Sequence, residues 1–394
     1  MNDMCDTYGI HITHNDSDAI GCALVASQLL SNMKFEDNTH FCTATGASQV
    51  LNEILDNIEV EQKKFPGIII ISDLSIDEPT CLRLEDIHEK YGTVLIGVDH
   101  HASNNLNEKH KWFQVASSKN MYGDPTLQEM CKPSACLSIF SIILMVHWCE
   151  INNAEIGSMM TNKTLSFMKS PKFHIIHNLM LSISRYDTWA WKTFGKDIIL
   201  GSTEDGIEIR DDIIQILCRF FSPQTLYQKL NSTMNEYNFE NDPQNLCLDI
   251  HDIYKWLPSY MKIIYGTIKE KESESLKNII SRAKIREIRL MDGSIYKTAM
   301  IISTDDFSNA QAEYLYNQSD EIDISCVIYP STNSISYRTK KPNIDVSALA
   351  KQQGGGGHRT AAGVKFNLDE DFLRFLIKYY TQSIPLKDFL EKNK

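Results

Sequence analysis

The sequence predicts an α/β protein in which a parallel sheet is covered by helices on both faces. In the first 100 residues, short β-branched runs such as Gly67–Ser72 and Thr93–Val98 alternate with amphipathic segments such as Ala19–Leu30. Continuous apolar runs of this kind are typical of strands that are buried on both faces, as parallel strands are. The alternation of strand and helix patterns returns after about residue 284, which predicts a second, smaller α/β domain.

The other elements follow from the same alternation. Tyr8–Thr13 and His40–Thr43 are predicted as strands, and Ser48–Ile58 and Glu78–Lys90 as helices. Helical periodicity also dominates residues 133–186. In the later part, the predicted strands are Ile285–Leu290, Tyr296–Ile302, Ile324–Tyr329 and Ser334–Arg338, and the predicted helices are Asn309–Gln318 and Val346–Lys351.

We therefore predict three parts along the chain. Residues 1–200 form the domain with the parallel sheet, residues 201–283 form a helical connector, and residues 284–394 form the smaller α/β domain. The 394 residues, 42% of them hydrophobic, are enough to give each α/β domain a core of its own.

The charge balance excludes one class of partner. The chain has 39 basic and 51 acidic residues and a net charge of −12, so phosphate repulsion disfavours binding to long duplex nucleic acid. A small phosphate-bearing ligand is still compatible with a local site that carries cations. The absence of a long apolar run predicts no membrane contact. Ten scattered cysteines without a secretory signal predict reduced thiols and a cytoplasmic protein.

Acidic and imidazole side chains follow three predicted strands at the points where they end. The first strand is followed by His14, Asp16 and Asp18, and Gly67–Ser72 is followed by Asp73. The third is followed by Asp99, His100 and His101. The carboxyl ends of parallel strands meet at one edge of a sheet, where ligands bind.

Taken singly, each of these aspartates has a simpler explanation, because Asp after a strand is often a helix cap or a turn residue. Together they would place several carboxylates side by side, where they would repel one another and shift their pKa values. A divalent cation is the natural compensation, and a carboxylate and imidazole donor set suits Mn²⁺ or Fe²⁺.

The motifs HNDSDAIG, ISDLSI, VDHHASN and RYDTWAW resemble, in order, the four motifs of the DHH phosphoesterase family. The segments YRTK and GGGGHRTAAG resemble the DHH-associated C-terminal domain of the same proteins. The single residue between His14 and Asp16, with the sequence YDTW, is most similar to the NrnB-type oligoribonuclease (nanoRNase) branch. The resemblance implies a DHH domain, a DHH-associated domain and an active site in the cleft between them.

The resemblance also implies a site for two Mn²⁺ ions, for which Mg²⁺, Co²⁺ or Fe²⁺ are substitutes. The implied ligands are His14 and Asp16 for the first ion, Asp18, His100 and Asp187 for the second, and Asp73 bridging both. Asp99 would orient an imidazole, and His101 would face the substrate and donate to the charge that develops in the reaction. Asp73, Asp99 and His101 are thus the implied catalytic set.

The late motifs imply the phosphate-binding residues. Gly355, Gly356 and Gly357 would bring backbone N–H groups close to phosphate oxygens, since they have no Cβ. His358 and Arg338 would donate to the same substrate, for which a planar guanidinium is well suited. A flexible turn is the simpler explanation of a glycine run considered alone.

The function implied is an Mn²⁺-dependent phosphodiesterase that hydrolyses short single-stranded RNA or dinucleotides to mononucleotides by a two-metal mechanism. Two alternatives stay open: a phosphatase of 3′-phosphoadenosine 5′-phosphate, and a phosphodiesterase of linear or cyclic dinucleotides. A third, of another class, is a nucleotide-binding sensor without turnover. A homodimer is also left open by the sequence.

Overall fold

The computed structural model divides the chain into two compact units, residues 1–266 and residues 267–394. It describes residues 8–30, 34–100, 106, 109–115, 134–136, 138, 171–187, 199–202, 208–210, 212–236, 257–289, 293–304, 308–341, 343–366 and 369–392. The sequence predicts domain boundaries at residues 200 and 283. The division into two units does not test these boundaries, which remain predictions.

A five-stranded sheet forms the centre of the first unit, and all of its neighbouring strands are parallel. Its strands are β1 (Gly9–Thr13), β2 (Thr39–Phe41), β3 (Ile68–Ser72), β4 (Val94–Asp99) and β5 (Phe113–Val115). The order β2-β1-β3-β4-β5 reverses direction between β1 and β3. In sheets of this kind such a reversal opens a crevice at the carboxyl ends of the two strands.

The helices described in the first unit are α1 (Ser17–Leu29), α2 (Ala47–Val60), α3 (Glu78–Tyr91), α4 (Pro171–Asp187), α5 (Ile213–Leu217) and α6 (Pro223–Glu236). Helix α7 (Ser259–Lys277) contains the boundary between the two units. The predicted parallel α/β fold is confirmed, and most predicted elements agree with the observed ones to within one or two residues.

Buried β-branched residues explain the central strands. All five residues of β1 and all five of β3 are buried, so both strands are covered on both faces. Helix α1 starts where Asp16 accepts a hydrogen bond from the backbone N–H of Ala19 (3.1 Å). The carboxyl end of β1 therefore leads directly into a helix N-terminus.

Helix α6 packs against α1 through polar contacts. The hydroxyls of Ser27 and Tyr227 are hydrogen-bonded, and Gln28 Nε2 donates to Asn231 Oδ1 at 2.6 Å in a buried position. Helix α6, which the sequence places in a connector, thus packs on α1, a helix of the domain that contains the parallel sheet. The same stretch differs from its expected helical pattern at its start, where β6 (Ile199–Ser202) and β7 (Glu208–Arg210) form an antiparallel pair.

The second unit contains a seven-stranded mixed sheet in the order β12-β13-β11-β10-β9-β8-β14. The strands are β8 (Lys284–Arg289), β9 (Ile295–Ile302), β10 (Ile324–Tyr329), β11 (Ser334–Arg338), β12 (Gly356–His358), β13 (Ala361–Lys365) and β14 (Ile384–Pro385). Its helices are α8 (Ile279–Arg282), α9 (Ser308–Tyr316), α10 (Val346–Lys351), α11 (Asp369–Thr381) and α12 (Leu386–Lys392).

Two cores cover the two faces of this sheet. Along β10, Ile324, Cys326 and Ile328 belong to one apolar cluster, whereas Val327 belongs to the other. The alternation follows from the two-residue repeat of a strand. Strand β12 lies at the edge of the sheet.

Among the described residues, no helix has the length and apolar character needed to cross a membrane.

We predict that Gly97→Ala destabilises the first unit. A Cβ on Gly97 would lie 2.1 Å from a ring carbon of Phe113, which is fully buried. Overpacking of this kind costs about 1–3 kcal/mol in the free energy of unfolding, measurable by urea denaturation. Combining Gly97→Ala with Phe113→Leu should recover part of the loss. Losses that merely add would contradict a clash between the two positions.

Candidate metal centre

Six side chains predicted as metal ligands meet at the carboxyl edge of the parallel sheet. Three follow β1, one follows β3, one follows β4, and one is the last residue of α4. In that order they are His14, Asp16, Asp18, Asp73, His100 and Asp187. The reversal of strand order between β1 and β3 places the first four around one crevice.

The first group consists of His14, Asp16 and Asp73, which offer ligand atoms within 4.8 Å of one another. His14 Nδ1 lies 2.8 Å from Asp16 Oδ2 and 3.9 Å from Asp73 Oδ2. About a third of each of the first two side chains is exposed, at 31% and 32%. A ligand from solvent therefore has access to this group.

The second group consists of Asp18, Asp73 and His100, again with ligand atoms within 4.8 Å of one another. His100 Nε2 lies 3.3 Å from Asp73 Oδ1 and 3.3 Å from Asp187 Oδ2. Asp18 is fully buried and the His100 side chain is 10% exposed, so this group lies deeper than the first.

Asp73 belongs to both groups, and its backbone is unusual. Its φ of 59° lies in the left-handed region, which few non-glycine residues adopt and which Asp tolerates better than most. Its backbone N–H is held by the carbonyl of Val98 on the neighbouring strand at 2.8 Å. Strain of this kind is concentrated at functional sites, and here it turns the carboxylate of Asp73 toward both imidazoles.

Burial and mutual repulsion disfavour the ionised carboxylates of the cluster. Asp73 has a side chain that is 1% exposed, and burial is the largest cause that raises its pKa well above the usual range. Repulsion adds to this shift, and it comes from Asp16, Asp18, Asp187 and Asp99. Burial and neighbouring carboxylates also raise the pKa of Asp187. Two divalent cations that share Asp73 would balance this charge, and the imidazole and carboxylate donors fit Mn²⁺, Fe²⁺ or Co²⁺.

Asp16 is both a helix cap and a member of the cluster. Burial opposes its ionisation, but hydrogen bonds and charge from His14, together with the bond from Ala19 N–H, lower its pKa. One carboxylate oxygen caps α1 while the other faces His14. The capping explanation that applies to an isolated Asp is therefore correct for Oδ1 of Asp16. It does not explain the contact of Oδ2 with His14.

Asp18 is held by a segment of the chain that the sequence did not connect with it. Ser134 Oγ donates to Asp18 Oδ1 at 2.6 Å, Cys136 N–H donates to the same oxygen at 3.1 Å, and Ala135 N–H donates to Oδ2 at 2.8 Å. The structure adds this contact between Ser134 and a predicted ligand 116 residues away.

His11 lies under the site and takes part in a buried polar chain. Ser72 Oγ donates to Thr13 Oγ1 at 2.9 Å, so His11 Nε2 donates to Ser72 Oγ at 2.8 Å. Burial, and to a lesser degree the charge of His40, lower the pKa of His11 to about 3. His11 is therefore neutral. The chain of hydrogen bonds that it starts runs through Ser72, which precedes Asp73, to Thr13, which precedes His14.

The described contact of Asp99 is with the backbone. Its Oδ1 accepts the N–H of His100 at 2.7 Å, and its side chain is buried. Orientation of an imidazole by Asp99 stays a prediction. His101 lies outside the described residues, and the side chain of His358 is likewise outside them.

In the second unit, strand register aligns two of the predicted substrate residues. Arg338 on β11 faces Ala361 on β13, which in turn faces His358 on β12. Neighbouring strands are about 4.8 Å apart, so this row spans roughly 10 Å. Arg338 Nη1 donates to Ser336 Oγ at 2.7 Å and to the carbonyl of Tyr337 at 2.8 Å, which fixes the position of the guanidinium.

The glycines before His358 do not have equivalent roles. Gly354 and Gly357 have φ of 81° and 134°, which favour glycine. A Cβ on Gly355 would lie 2.1 Å from the carbonyl oxygen of Gly363, and its N–H donates to Ala350 O at 2.8 Å. A Cβ on Gly356 would meet no atom within 4 Å, and its φ is not left-handed. The protein itself thus requires three of the four glycines but not Gly356.

Comparison with curated proteins gives a similarity that extends over most of the chain. The chain is 21% identical over 369 residues to oligoribonuclease NrnB of Bacillus subtilis (strain 168), which covers 93% of this chain and 75% of that protein. It is 29% identical over 117 residues to uncharacterized protein R106 of Acanthamoeba polyphaga mimivirus, covering 29% of this chain and 24% of that one. No family model matches the chain.

Solved structures give more distant likenesses. The manganese-bound exonuclease RecJ has 13% identity and a TM-score of 0.45, with 96% of this chain and 92% of that chain covered. The pGpG-specific phosphodiesterase PggH from Vibrio cholerae has 13% identity and a TM-score of 0.40, with 95% and 98% covered. At these TM-scores neither likeness bears on the activity of this chain.

We expect Asp73→Asn to stabilise the protein when divalent cations are removed with a chelator. The neutral amide relieves the crowding of carboxylates and tolerates the left-handed backbone. Because burial and the neighbouring carboxylates disfavour the charged form of Asp73, the unfolding free energy should rise when that charge is removed. Thermal unfolding in EDTA measures it, and Asp37→Asn, at an exposed carboxylate, is the control. An unchanged or lower unfolding temperature for Asp73→Asn would show that the cluster is not repulsive.

Proposed function

We propose, from the premise that this chain is a hydrolase of the DHH phosphoesterase family, that it is a phosphodiesterase which cleaves short single-stranded oligoribonucleotides to mononucleotides. The observation that carries the proposal is the pair of ligand groups that share Asp73 at the reversal of the parallel sheet. The substrate class is supported by the similarity to oligoribonuclease NrnB over 93% of the chain.

The proposed ligands divide between the two groups. His14 and Asp16 would hold one cation, Asp18, His100 and Asp187 the other, and Asp73 both. Two such ions, when bound, supply Lewis-acid stabilisation of a phosphoryl oxygen and lower the pKa of an attacking water. We propose Mn²⁺ as the native ion. The described donor set, two imidazoles and four carboxylates, supports a first-row divalent metal.

The side chains of this chain would position the metals and the substrate. His14 and His100 each approach Asp73 from the side of a different group, at 3.9 and 3.3 Å, so loss of Asp73 would separate the two halves of the centre. His101 follows β4 directly after His100, and we propose that it donates a proton or hydrogen bond to the leaving group. Asp99 would fix this stretch through its bond to the His100 N–H.

The second unit would supply groups that bind phosphate. Arg338 has its guanidinium held by Ser336 and Tyr337, so little side-chain freedom would be lost on binding an anion. Gly356 on the edge strand β12 has open space where a side chain would be. A backbone that a ligand must approach closely is the condition under which glycine is useful there.

The other proposed properties concern the protein in the cell. We propose a cytoplasmic location, which the six described cysteines support as free thiols: Cys22, Cys42, Cys81, Cys136, Cys218 and Cys326. Dimerisation stays a prediction from the sequence.

A panel of substrates tests the proposal. Purified protein with Mn²⁺ is incubated with RNAs of two to about ten nucleotides, 3′-phosphoadenosine 5′-phosphate, linear and cyclic dinucleotides and pyrophosphate, and mononucleotide release is followed by chromatography. We expect the shortest RNAs to be cleaved fastest. Faster turnover of the bisphosphate or of a cyclic dinucleotide would replace the proposed substrate, and tight binding without any product would indicate a sensor.

Asp73→Asn should lower turnover of the preferred RNA by more than about 100-fold. Loss of a residue that only supports a metal ligand costs up to about 100-fold, and Asp73 is proposed as a ligand of both cations, so its loss should cost more. Asn is the appropriate replacement because Ala would add strain at a φ of 59°. The measurement is kcat at saturating Mn²⁺, with Asp37→Asn as the control. Turnover within a few-fold of the unaltered protein would rule out a shared ligand at this position.

We predict that Gly356→Ala raises the KM for RNA by about tenfold, which is ~1.4 kcal/mol, with little change in the unfolding temperature. A methyl group there meets no protein atom within 4 Å, so its cost falls on the ligand. Gly355→Ala is the matched variant: it should lower the unfolding temperature because its Cβ would lie 2.1 Å from Gly363 O. An unchanged KM in Gly356→Ala would contradict close approach of substrate to this strand.

A further inference from the structure

Asp18 is a predicted metal ligand that lies in a buried position. Its side chain is fully buried, and so is the side chain of Ser134, which donates to it at 2.6 Å. A buried carboxylate must be compensated by hydrogen bonds or by positive charge. Three donors provide that compensation, and all three belong to residues 134–136, referred to below as the Ser134 segment.

The three donors leave a defined part of the carboxylate for a cation. A carboxylate has about four lone-pair positions. Oδ1 of Asp18 accepts from the Ser134 hydroxyl and the Cys136 N–H, and Oδ2 accepts from the Ala135 N–H. Asp18 nevertheless offers an oxygen within 4.8 Å of the ligand atoms of Asp73 and His100. The donors therefore set the orientation in which Asp18 would meet a metal.

The Ser134 segment is also fixed to the helices that carry the ligands. A Cβ on Gly21, one turn after Asp18 on α1, would lie 2.8 Å from Cys136 Cβ, so glycine permits this close approach. On the other side, Ser134 N–H donates to Ser184 Oγ at 3.0 Å. Ser184 precedes Asp187 by three residues on α4, so the segment joins α1, which carries Asp18 in its first turn, to α4, which ends with Asp187.

We propose that Ser134 is a positioning residue that orients Asp18, and through α4 also Asp187, for the second divalent cation. This inference rests on the metal centre of the proposed function and deepens it. The backbone amides of the segment cannot be removed by side-chain substitution, whereas the hydroxyl can. Loss of the hydroxyl leaves Asp18 held by the two backbone amides alone, which fix its direction toward Asp73 and His100 less firmly, so the second cation binds less tightly while the first is unaffected.

The test measures cation binding rather than turnover alone. Mn²⁺ is titrated into the metal-free full-length protein by calorimetry, and electron paramagnetic resonance detects the spin-coupled signal of two neighbouring Mn²⁺ ions. We expect the unaltered protein to bind two ions. Ser134→Ala should weaken one of them by about 10–100-fold, the usual effect of losing an outer partner of a ligand, and reduce the coupled signal.

Ser138→Ala is the matched control. Ser138 is also buried, and its hydroxyl donates to the carbonyl of Ser134 at 2.8 Å, one turn farther from Asp18. The Ser138→Ala protein should bind both ions with unchanged affinity, although it lacks a buried hydroxyl one turn away from Ser134. If Ser134→Ala folds poorly, Ser134→Cys fills the same space with a weaker donor and should show the same selective loss.

A second comparison shows whether Ser134 acts through Asp18. Asp18→Asn should weaken the same ion, and adding Ser134→Ala to Asp18→Asn should cause no further loss. Losses that add, equal losses in the Ser134 and Ser138 variants, or full affinity in Ser134→Ala would each overturn the inference while leaving the metal centre intact. If the unaltered protein binds no Mn²⁺, the proposed function fails together with the inference.

Discussion

The crowding of buried carboxylates around Asp73 is the constraint on which the rest of this site depends. Parallel strands end at one edge of the sheet, and the reversal of order between β1 and β3 brings their following loops into one crevice. Acids that are buried side by side are unfavourable unless protons or cations balance them. The two imidazoles that flank Asp73 supply part of the balance, and the separation into an accessible and a deep group leaves a place for two cations.

Two unfavourable features of the first unit lie at this edge, and the packing of the described strands compensates for them. The left-handed backbone of Asp73 and its buried charge would be unstable in a loosely packed loop. They follow β3, all of whose residues are buried, and a neutral polar chain from His11 to Thr13 lies directly beneath. Ordinary hydrophobic packing thus supports a locally strained arrangement, which is the usual distribution of stability around a functional site.

Much of the fold was predictable because its signals are local. The β-branched run of β3 and the alternation of strands and helices required no knowledge of distant contacts. The short edge strands β5 and β12 were not predicted, since three residues carry too weak a periodicity to distinguish a strand from a loop. The start of the connector was misjudged in the same way: β6 and β7 are only four and three residues long and are stable as a pair.

The sequence by itself determined which chemical groups stand at the strand ends, because a residue that follows a buried strand is placed at the edge of the sheet by chain connectivity. It also indicated a special role for the glycines before His358. Tertiary structure decided how these groups are used: that Ser134 donates to Asp18 across 116 residues, and that Gly356 alone among four glycines has open space around it and an ordinary backbone. The physical reason is that orientation and free volume depend on what packs against a residue, which the linear order of a chain does not specify.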